Sequence, residues 1–169
     1  VLNDKKHPDH PEVVMVVVDA SNLERNLLLF TQIYDLKIPV MLILNMSDMA
    51  YRAGKVFDKV AFAKRFPCVP VVDTNARIGS GMDQIKKVLA EGFSVENHLP
   101  VLENYELKSA LDFDGQGEET TKRFAFIKNL LKEVVQINAD KVRPKKYEWL
   151  DRILVHRVYG YLIFTIILL

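Results

Sequence analysis

Three short apolar runs alternate with amphipathic segments in the first half of the chain. They cover residues 13–18, 40–44 and 69–72, and in the first two the apolar side chains are adjacent rather than alternating. Continuous runs of this kind are typical of strands that are buried on both faces of a parallel sheet. Helical patterns follow each run, so the sequence predicts an α/β fold with right-handed crossovers.

Helices are predicted over residues 23–36, 58–65 and 82–91, between the apolar runs and after the last of them. Ser21 and Glu24 have the spacing of a capping box, in which each side chain accepts from an otherwise unpaired backbone N–H. We therefore expect the first helix to begin next to Ser21. Pro39 and Pro67 lie just beyond the first two helices, where proline stops helical structure.

The pattern changes after Gly92, where helices joined by polar breaks are predicted from about residue 94 to residue 147. Gly115-Gln116-Gly117 is interpreted as one such break. An amphipathic helix is predicted from Glu118, because apolar residues recur there at helical spacing. These are Phe124, Phe126, Ile127, Leu130, Leu131, Val134 and Val135.

Composition limits the classes of function. A chain of 169 residues can bury one core with a small appendage, and a net charge of +1 argues against a nucleic-acid binder that relies on bulk electrostatics. The single Cys68 excludes an internal disulfide and fits a reducing compartment. His7 and His10 have a metal-like spacing, but we interpret them as part of a solvated loop and predict no metal site.

The last twelve residues, 158–169, carry no charge, whereas a helix needs about twenty apolar residues to span a bilayer. Length alone favours a helix or strand docked in the core. A basic cluster at 141–146, with Trp149 and Tyr159 at interfacial positions, favours instead the start of a membrane helix that enters from the cytoplasmic side. The same basic cluster fits either a solvated linker or, beside an apolar helix, a contact with anionic membrane lipid.

Polar residues follow the second apolar run directly, at the carboxyl end of the predicted strand, where α/β sheets bind ligands. Asn45 and Asp48 form an N-x-x-D pattern there. A carboxylate can accept two parallel hydrogen bonds from the N–H edge of guanine, and an amide can serve the other polar edge of the ring. Asn and Asp are also common turn and cap residues, so the pattern alone leaves both interpretations open.

A second polar loop follows the third run, with the sequence Thr74-Asn75-Ala76-Arg77. Because the carboxyl ends of parallel strands meet at one edge of a sheet, we expect the two loops to lie together. The backbone N–H of Ala76 could donate to the guanine carbonyl oxygen, and a small side chain allows the close approach that this needs.

Three strings in the chain resemble the ferrous iron transport protein B (FeoB) family. They are V-D-A-S-N-L-E-R-N-L at 18–27, I-P-x-x-x-x-L-N-M-x-D at 38–48 and T-x-A-R-x-G-x-G at 74–81, and the segments 124–131 and 151–157 are also similar. The resemblance implies part of a Ras-like (P-loop GTPase) parallel sheet with flanking helices, a small all-α domain and the start of a transmembrane helix. The implied divisions are 1–92, the C-terminal half of the G domain; 93–146, the helical regulatory domain and linker; and 147–169, the juxtamembrane helix.

By position, the resemblance assigns Asn45 and Asp48 to the guanine ring and the Ala76 backbone to its third side. Thr74 and Asn75 complete that loop, and Met46 stands where most G proteins have a lysine that lies along the base. An apolar contact would thus replace a cationic one, so weak, fast binding of GTP or GDP is expected.

The sequence contains no G-x-x-x-x-G-K-S/T loop, and none of its predicted strands leads directly into a D-x-x-G segment that could meet the γ-phosphate and Mg²⁺. We therefore expect a fragment that lacks the P-loop half of the G domain, has no catalytic residue and cannot hydrolyse GTP. Mg²⁺ binding is expected only with the missing half.

The family further implies an Fe²⁺ transporter at the cytoplasmic face of the bacterial inner membrane, with membrane lipid, a second copy of itself and small cytosolic Feo proteins as partners and with no role for nucleic acid. Two alternatives remain open from the residues. One is a soluble Era-like or translation-factor-like GTPase, and the other is a helical spacer or interaction module whose nucleotide loops are idle.

Overall fold

The computed structural model describes residues 1–2, 4–93, 98–102, 113–138, 153–157 and 159–168. The strands are β1 (Val14–Asp19), β2 (Val40–Asn45), β3 (Lys55–Phe57), β4 (Val71–Asp73) and β5 (Val135–Ile137). The helices are α1 (Leu23–Asp35), α2 (Ser47–Arg52), α3 (Lys59–Arg65), α4 (Met82–Glu91), α5 (Phe113–Val134) and α6 (Tyr159–Leu168).

The main sheet is parallel, with the strand order β1-β2-β4. Val14 pairs with Val40 and Asp19 with Asn45, so β1 and β2 end at the same level of the sheet. The three predicted apolar runs are thus confirmed as parallel strands connected by helices. A second sheet of two short antiparallel strands, β3 and β5, was not predicted.

The sheet has two unequal cores. On one face, α1, α3 and α5 cover the strands, and the buried residues include Phe30, Leu42, Leu44 and Ile127. On the other face, Ile85 of α4 packs with Met41, Ile43 and Val72, which come from β2 and β4. The second core therefore leaves β1 out.

The prediction that the first strand is buried on both faces is wrong. Met15 and Val17 are 49% and 59% exposed, although Val16 and Val18 of the same strand are buried. The reason is position: β1 lies at the edge of the sheet, beyond the part that α4 covers.

The predicted capping box at the start of α1 does not form. The helix begins at Leu23 with Asn22 as its N-cap, so Ser21 lies one residue too early, and no side chain caps the helix. The Ser21 hydroxyl instead donates to Asp19 Oδ1 over 2.7 Å. Asp19 therefore orders the turn before the helix.

The predicted break at Gly115-Gln116-Gly117 is also wrong, because α5 runs without interruption from Phe113 to Val134. The two glycines weaken a helix by about 1 kcal/mol each relative to alanine. Burial of the apolar face of α5, with Ile127, Leu130 and Val134 in the core, outweighs this cost.

A buried ion cluster joins α5 to α1. Arg123 Nη1 donates to Asp35 Oδ2 over 2.7 Å and to the Thr31 carbonyl oxygen over 3.0 Å, and Arg123 Nε donates to Glu119 Oε1 over 2.8 Å. The Arg123 and Asp35 side chains are fully buried. Residues from both sides of position 92 thus share one core, while the domain boundaries of the sequence analysis stay a prediction.

Among the residues that the structure describes, no helix is both long and apolar enough to span a membrane. The helix α6 has ten residues, Tyr159–Leu168. The basic cluster at 141–146 and Trp149 lie outside the described residues. The start of a transmembrane helix therefore stays a prediction.

Candidate functional site

A tight turn places the N-x-x-D residues at the carboxyl end of β2. Asn45 is the last residue of the strand, and Met46 adopts a left-handed conformation with φ 56° and ψ 30°. The Met46 carbonyl oxygen accepts from the N–H groups of Met49 and Ala50, so α2 begins at once. Asp48 lies in the first turn of this helix.

The second loop leaves β4 one strand away. The Thr74 N–H donates to the Leu44 carbonyl oxygen over 2.8 Å, and the Asn75 N–H donates to the Ser80 carbonyl oxygen over 3.1 Å, which closes the loop on itself. Gly81 lies against this loop with φ +88°, and a Cβ there would collide with the Asp73 carbonyl oxygen and the Thr74 methyl group. Only glycine fits this position without strain.

Two side-chain hydrogen bonds join the loops. The Ala76 N–H donates to Asn45 Oδ1 over 3.1 Å, and the Ser47 hydroxyl donates to the Thr74 carbonyl oxygen over 3.2 Å. The loops therefore lie side by side at one edge of the sheet, as the sequence predicts. The first bond also engages, within the chain, the N–H that the sequence analysis assigns to a base.

A cleft of about 500 Å³ opens beside α2. Asp48, Asn75 and Ser80 line its polar side, and Leu23 and Leu44 are among its apolar residues. Of the other predicted site residues, Asn45, Met46, Thr74 and Ala76 do not line this cleft. The structure thus places two of the six predicted residues in the cleft and four beside it.

The Asp48 carboxylate is available to a ligand. The residue is half-buried, and no group in the described part of the chain donates a hydrogen bond to its oxygens. Asp48 lies in the first turn of α2, where the helix dipole stabilises the negative charge of a carboxylate. A half-buried carboxylate with free lone pairs is suited to accept from paired N–H donors.

Three contributors to the site were not predicted. Ser47 had no assigned role, since nothing in the sequence signals its contact with Thr74. Gly81 ends the T-x-A-R-x-G-x-G string at 74–81 but was not among the predicted site residues, although its place between a polar loop and a helix signals a tight turn. Residues of β3 and β5, including Val56 and Val135, also line the cleft.

Within the described ranges, no group of three or more His, Cys, Asp or Glu side chains could hold a metal ion. The ring of His7 contacts its neighbour, with Nδ1 accepting from the Asp9 N–H over 3.1 Å. Its geometry is that of a local turn.

Residues 3–89 match the family model of ferrous iron transport protein B, which is more than half of the chain. The chain belongs to the ferrous iron transport protein B family. The alternative of an Era-like or translation-factor-like GTPase is thereby set aside. The FeoB resemblance of the sequence is confirmed.

Curated relatives match the same region. The Fe²⁺ transport protein A/FeoB fusion protein of Porphyromonas gingivalis is 35% identical over 97 residues, covering 56% of this chain and 11% of the relative. The Fe²⁺ transporter FeoB of Salmonella typhimurium is 41% identical over 75 residues, which cover 44% of this chain and 10% of the relative. The chain therefore spans about a tenth of the length of these relatives.

Solved FeoB structures share the fold. The cytosolic domain of T. maritima FeoB in its GMPPNP form has a TM-score of 0.61 at 17% sequence identity. The match covers 76% of this chain and 69% of the T. maritima chain. A GDP-bound mutant of the S. thermophilus FeoB G-domain has a TM-score of 0.57 at 22% sequence identity. The match covers 76% of this chain and 71% of the S. thermophilus chain. The α/β architecture is thus that of FeoB G domains.

Proposed function

We propose that the paired loops recognise the guanine base of GTP or GDP, and that the chain provides this recognition to the GTPase module of an Fe²⁺ transporter. The hydrogen bond between the Ala76 N–H and Asn45 Oδ1 carries the proposal, because it holds together the two loops on which base recognition depends. The open carboxylate of Asp48 beside them supplies the acceptor.

Asp48 would select the base. Its two oxygens can accept from the ring N–H and the exocyclic amine of guanine, which lie side by side. At this edge adenine has an acceptor ring nitrogen and a C–H in place of the two donors, so it would leave both carboxylate oxygens unpaired. A buried acceptor without a donor costs about 1–3 kcal/mol, which is enough for clear discrimination.

Asn45 would contribute its amide donor. Since Oδ1 accepts from the Ala76 N–H, the Nδ2 hydrogens are the part of the amide that remains for acceptors on the other edge of the base. The Ala76 N–H would reach the guanine carbonyl oxygen only by sharing its hydrogen between Asn45 and the ligand. Met46, 44% exposed, provides an apolar contact along the ring.

Similarity to nucleotide complexes supports the assignment. The T. maritima FeoB cytosolic domain is in its GMPPNP form, and the S. thermophilus G-domain mutant is bound to GDP. This chain shares their fold and carries an N-x-x-D pattern at the carboxyl end of β2. Binding of GTP or GDP is therefore the ligand chemistry that we propose for the site.

We further propose that this polypeptide binds without hydrolysing. It has no Walker-type phosphate loop, and no D-x-x-G segment directly follows one of its described parallel strands; these are the parts that hold phosphate, Mg²⁺ and the attacking water. No residue of the site is assigned a catalytic role, and Mg²⁺ belongs with those motifs.

The wider role is proposed from the family. It comprises Fe²⁺ transport through a membrane domain, a helical regulatory domain over 93–146 and a juxtamembrane segment over 147–169 at the cytoplasmic face of the inner membrane. Anionic lipid near the C-terminal end, a second copy of the protein and small Feo proteins are the proposed partners.

Saturation-transfer difference NMR of the 169-residue chain with GMP and AMP tests base recognition, because it detects weak ligands. We expect saturation transfer to GMP. The dissociation constant should be about tenfold or more higher for AMP, because AMP leaves acceptors of Asp48 unpaired. Asp48→Ala should abolish the preference. Asp83→Ala, at an exposed carboxylate on α4, is the matched control and should retain it.

Equal binding of GMP and AMP by the unmodified chain would contradict the proposed function. The same samples, incubated with GTP, should release no phosphate above background. Release above background would contradict the proposal that the chain binds without turnover.

A further inference from the structure

We infer that Ser47 is a positioning residue that ties the two base-recognition loops together through the Thr74 carbonyl group. The inference rests on the proposed function and adds a residue to which the sequence assigns no role. Both polar groups of Ser47 point at the same oxygen: the hydroxyl donates over 3.2 Å and the backbone N–H over 3.5 Å.

The hydrogen-bond ladder between β2 and β4 explains why this oxygen needs a donor. The Leu42 N–H donates to the Pro70 carbonyl oxygen, and the Thr74 N–H donates to the Leu44 carbonyl oxygen. In a parallel ladder, donors on one strand recur every second residue, so the Thr74 carbonyl oxygen would next accept from residue 46.

Met46 does not make that bond. The left-handed conformation of Met46 turns the chain into α2. The Thr74 carbonyl oxygen therefore accepts from Ser47 instead of from residue 46. Thr74 is only 4% exposed, so water has poor access to this part of the loop. The Ser47 hydroxyl therefore completes a ladder that the turn interrupts.

The consequence for the site is a double link between the loops. Ser47 precedes Asp48 and bonds Thr74, while Asn45 bonds Ala76, two residues after Thr74. Together these bonds fix the Asp48 carboxylate relative to the Ala76 N–H, the two groups that we assign to neighbouring positions on one base. Loss of the Ser47 hydroxyl leaves the bond between Asn45 and Ala76 and the longer bond from the Ser47 N–H, and therefore a looser site.

Valine and threonine have the same shape, so Ser47→Val and Ser47→Thr differ in the hydroxyl alone. We expect the dissociation constant for GMP to be about two- to tenfold higher for Ser47→Val than for Ser47→Thr. This is the change in affinity that the loss of one hydrogen bond produces. The GMP preference over AMP should fall with it. Ser47→Thr should retain the affinity of the unmodified chain.

Thr31→Val is the control for a purely structural loss. The Thr31 hydroxyl is buried in α1 and donates to the Leu28 carbonyl oxygen over 2.7 Å, away from the loops. This variant removes a hydroxyl–carbonyl bond as Ser47→Val does, but we expect it to leave the GMP affinity and the base preference unchanged.

Hydrogen exchange gives a readout that does not depend on a ligand. Ser47→Val should accelerate exchange of the Asn75 and Ala76 amides relative to Ser47→Thr, and leave exchange of the β2 amide of Leu42 unchanged. Should the valine variant fold poorly, Ser47→Ala takes its place against Ser47→Thr.

Equal GMP affinity and equal loop exchange in the valine and threonine variants would overturn the inference while the proposed function stands. Absence of any GMP preference in the unmodified chain would overturn the proposed function, and the ligand-positioning role of Ser47 would fall with it. A uniform acceleration of exchange, including Leu42, would assign Ser47 to general stability and also overturn the inference.

Discussion

The chemistry available to Asn45 and Asp48 is decided by their neighbours in the fold. The Asn45 Oδ1 atom accepts from the Ala76 N–H, which fixes the orientation of the side-chain amide. The Nδ2 hydrogens remain as donors for another group. Asp48 accepts from no group in the described part of the chain. One residue thus holds the loops in place, and the other remains open to a ligand.

Tyr34 provides a prediction at the same scale. Its ring is 3% exposed and stacks on His98, and its hydroxyl accepts from the Leu99 N–H over 3.3 Å. Burial raises the pKa of the Tyr34 phenol above the ordinary value of 10.0. The unfolded chain therefore ionises first, and stability that is fully present below pH 10 is lost as the pH rises through the raised pKa.

Urea denaturation between pH 9 and pH 12, compared with Tyr34→Phe, measures this loss. The free energy of unfolding should fall more steeply for the unmodified chain than for the variant, which has no phenol to ionise. Parallel curves for the two proteins would show that burial of Tyr34 has no effect on its titration.

The sequence predicts the meeting of the two loops, because both follow parallel strands and such strands end at one edge. It does not predict the link through Ser47. That link depends on a left-handed Met46, and an unbranched apolar residue carries no signal for this conformation.

At the scale of elements, the helices with a clear apolar face between the parallel strands were predicted closely, whereas the second sheet and the start of α5 were not. The helix α4 has the predicted bounds, Met82–Glu91, since its apolar face and the preceding glycines are both visible in the sequence. The strands β3 and β5 have three residues each and pair across about 80 positions, so neither has a local signal. The glycines in α5 were mistaken for a break because long-range packing outweighs their propensity.

Gly117 tests whether α5 is continuous through its glycines. A Cβ added at Gly117 meets nothing within 4 Å, and the residue is exposed. We expect Gly117→Ala to raise the free energy of unfolding by about 0.5–1 kcal/mol, because alanine favours helix without a clash.

Urea denaturation measures the change, with Gly81→Ala as the contrasting variant. Gly81→Ala should destabilise the chain, since its Cβ would collide with the Asp73 carbonyl oxygen at a positive φ. A loss of stability in Gly117→Ala would favour the break that the sequence analysis predicted.

For the whole molecule, the main feature is the asymmetry of the sheet. One face lies under α1, α3 and α5, whereas in the described part of the chain α4 is the one helix that packs on the other face, and Met15 and Val17 are exposed. Among the described residues, β1 pairs only with β2 and has an open edge. An apolar open edge of this kind favours association with another strand.

We therefore expect the chain to self-associate as its concentration rises, and Val17→Lys to weaken the association. A charge on an edge strand disfavours pairing because it would have to be buried. Val60→Lys, on the exposed surface of α3, adds the same charge elsewhere and should leave association unchanged. Sedimentation velocity over a range of concentrations measures both, and a monomer throughout would show that the β1 edge is protected.

The most direct test of guanine recognition is the base preference of Asp48→Asn, measured by saturation-transfer difference NMR with GMP and XMP. Asparagine offers a donor where aspartate offers an acceptor, which suits the second carbonyl oxygen of xanthine. We predict that the unmodified chain and the Asp83→Asn control prefer GMP, and that Asp48→Asn prefers XMP by about tenfold. An unchanged preference for GMP in Asp48→Asn would contradict the account.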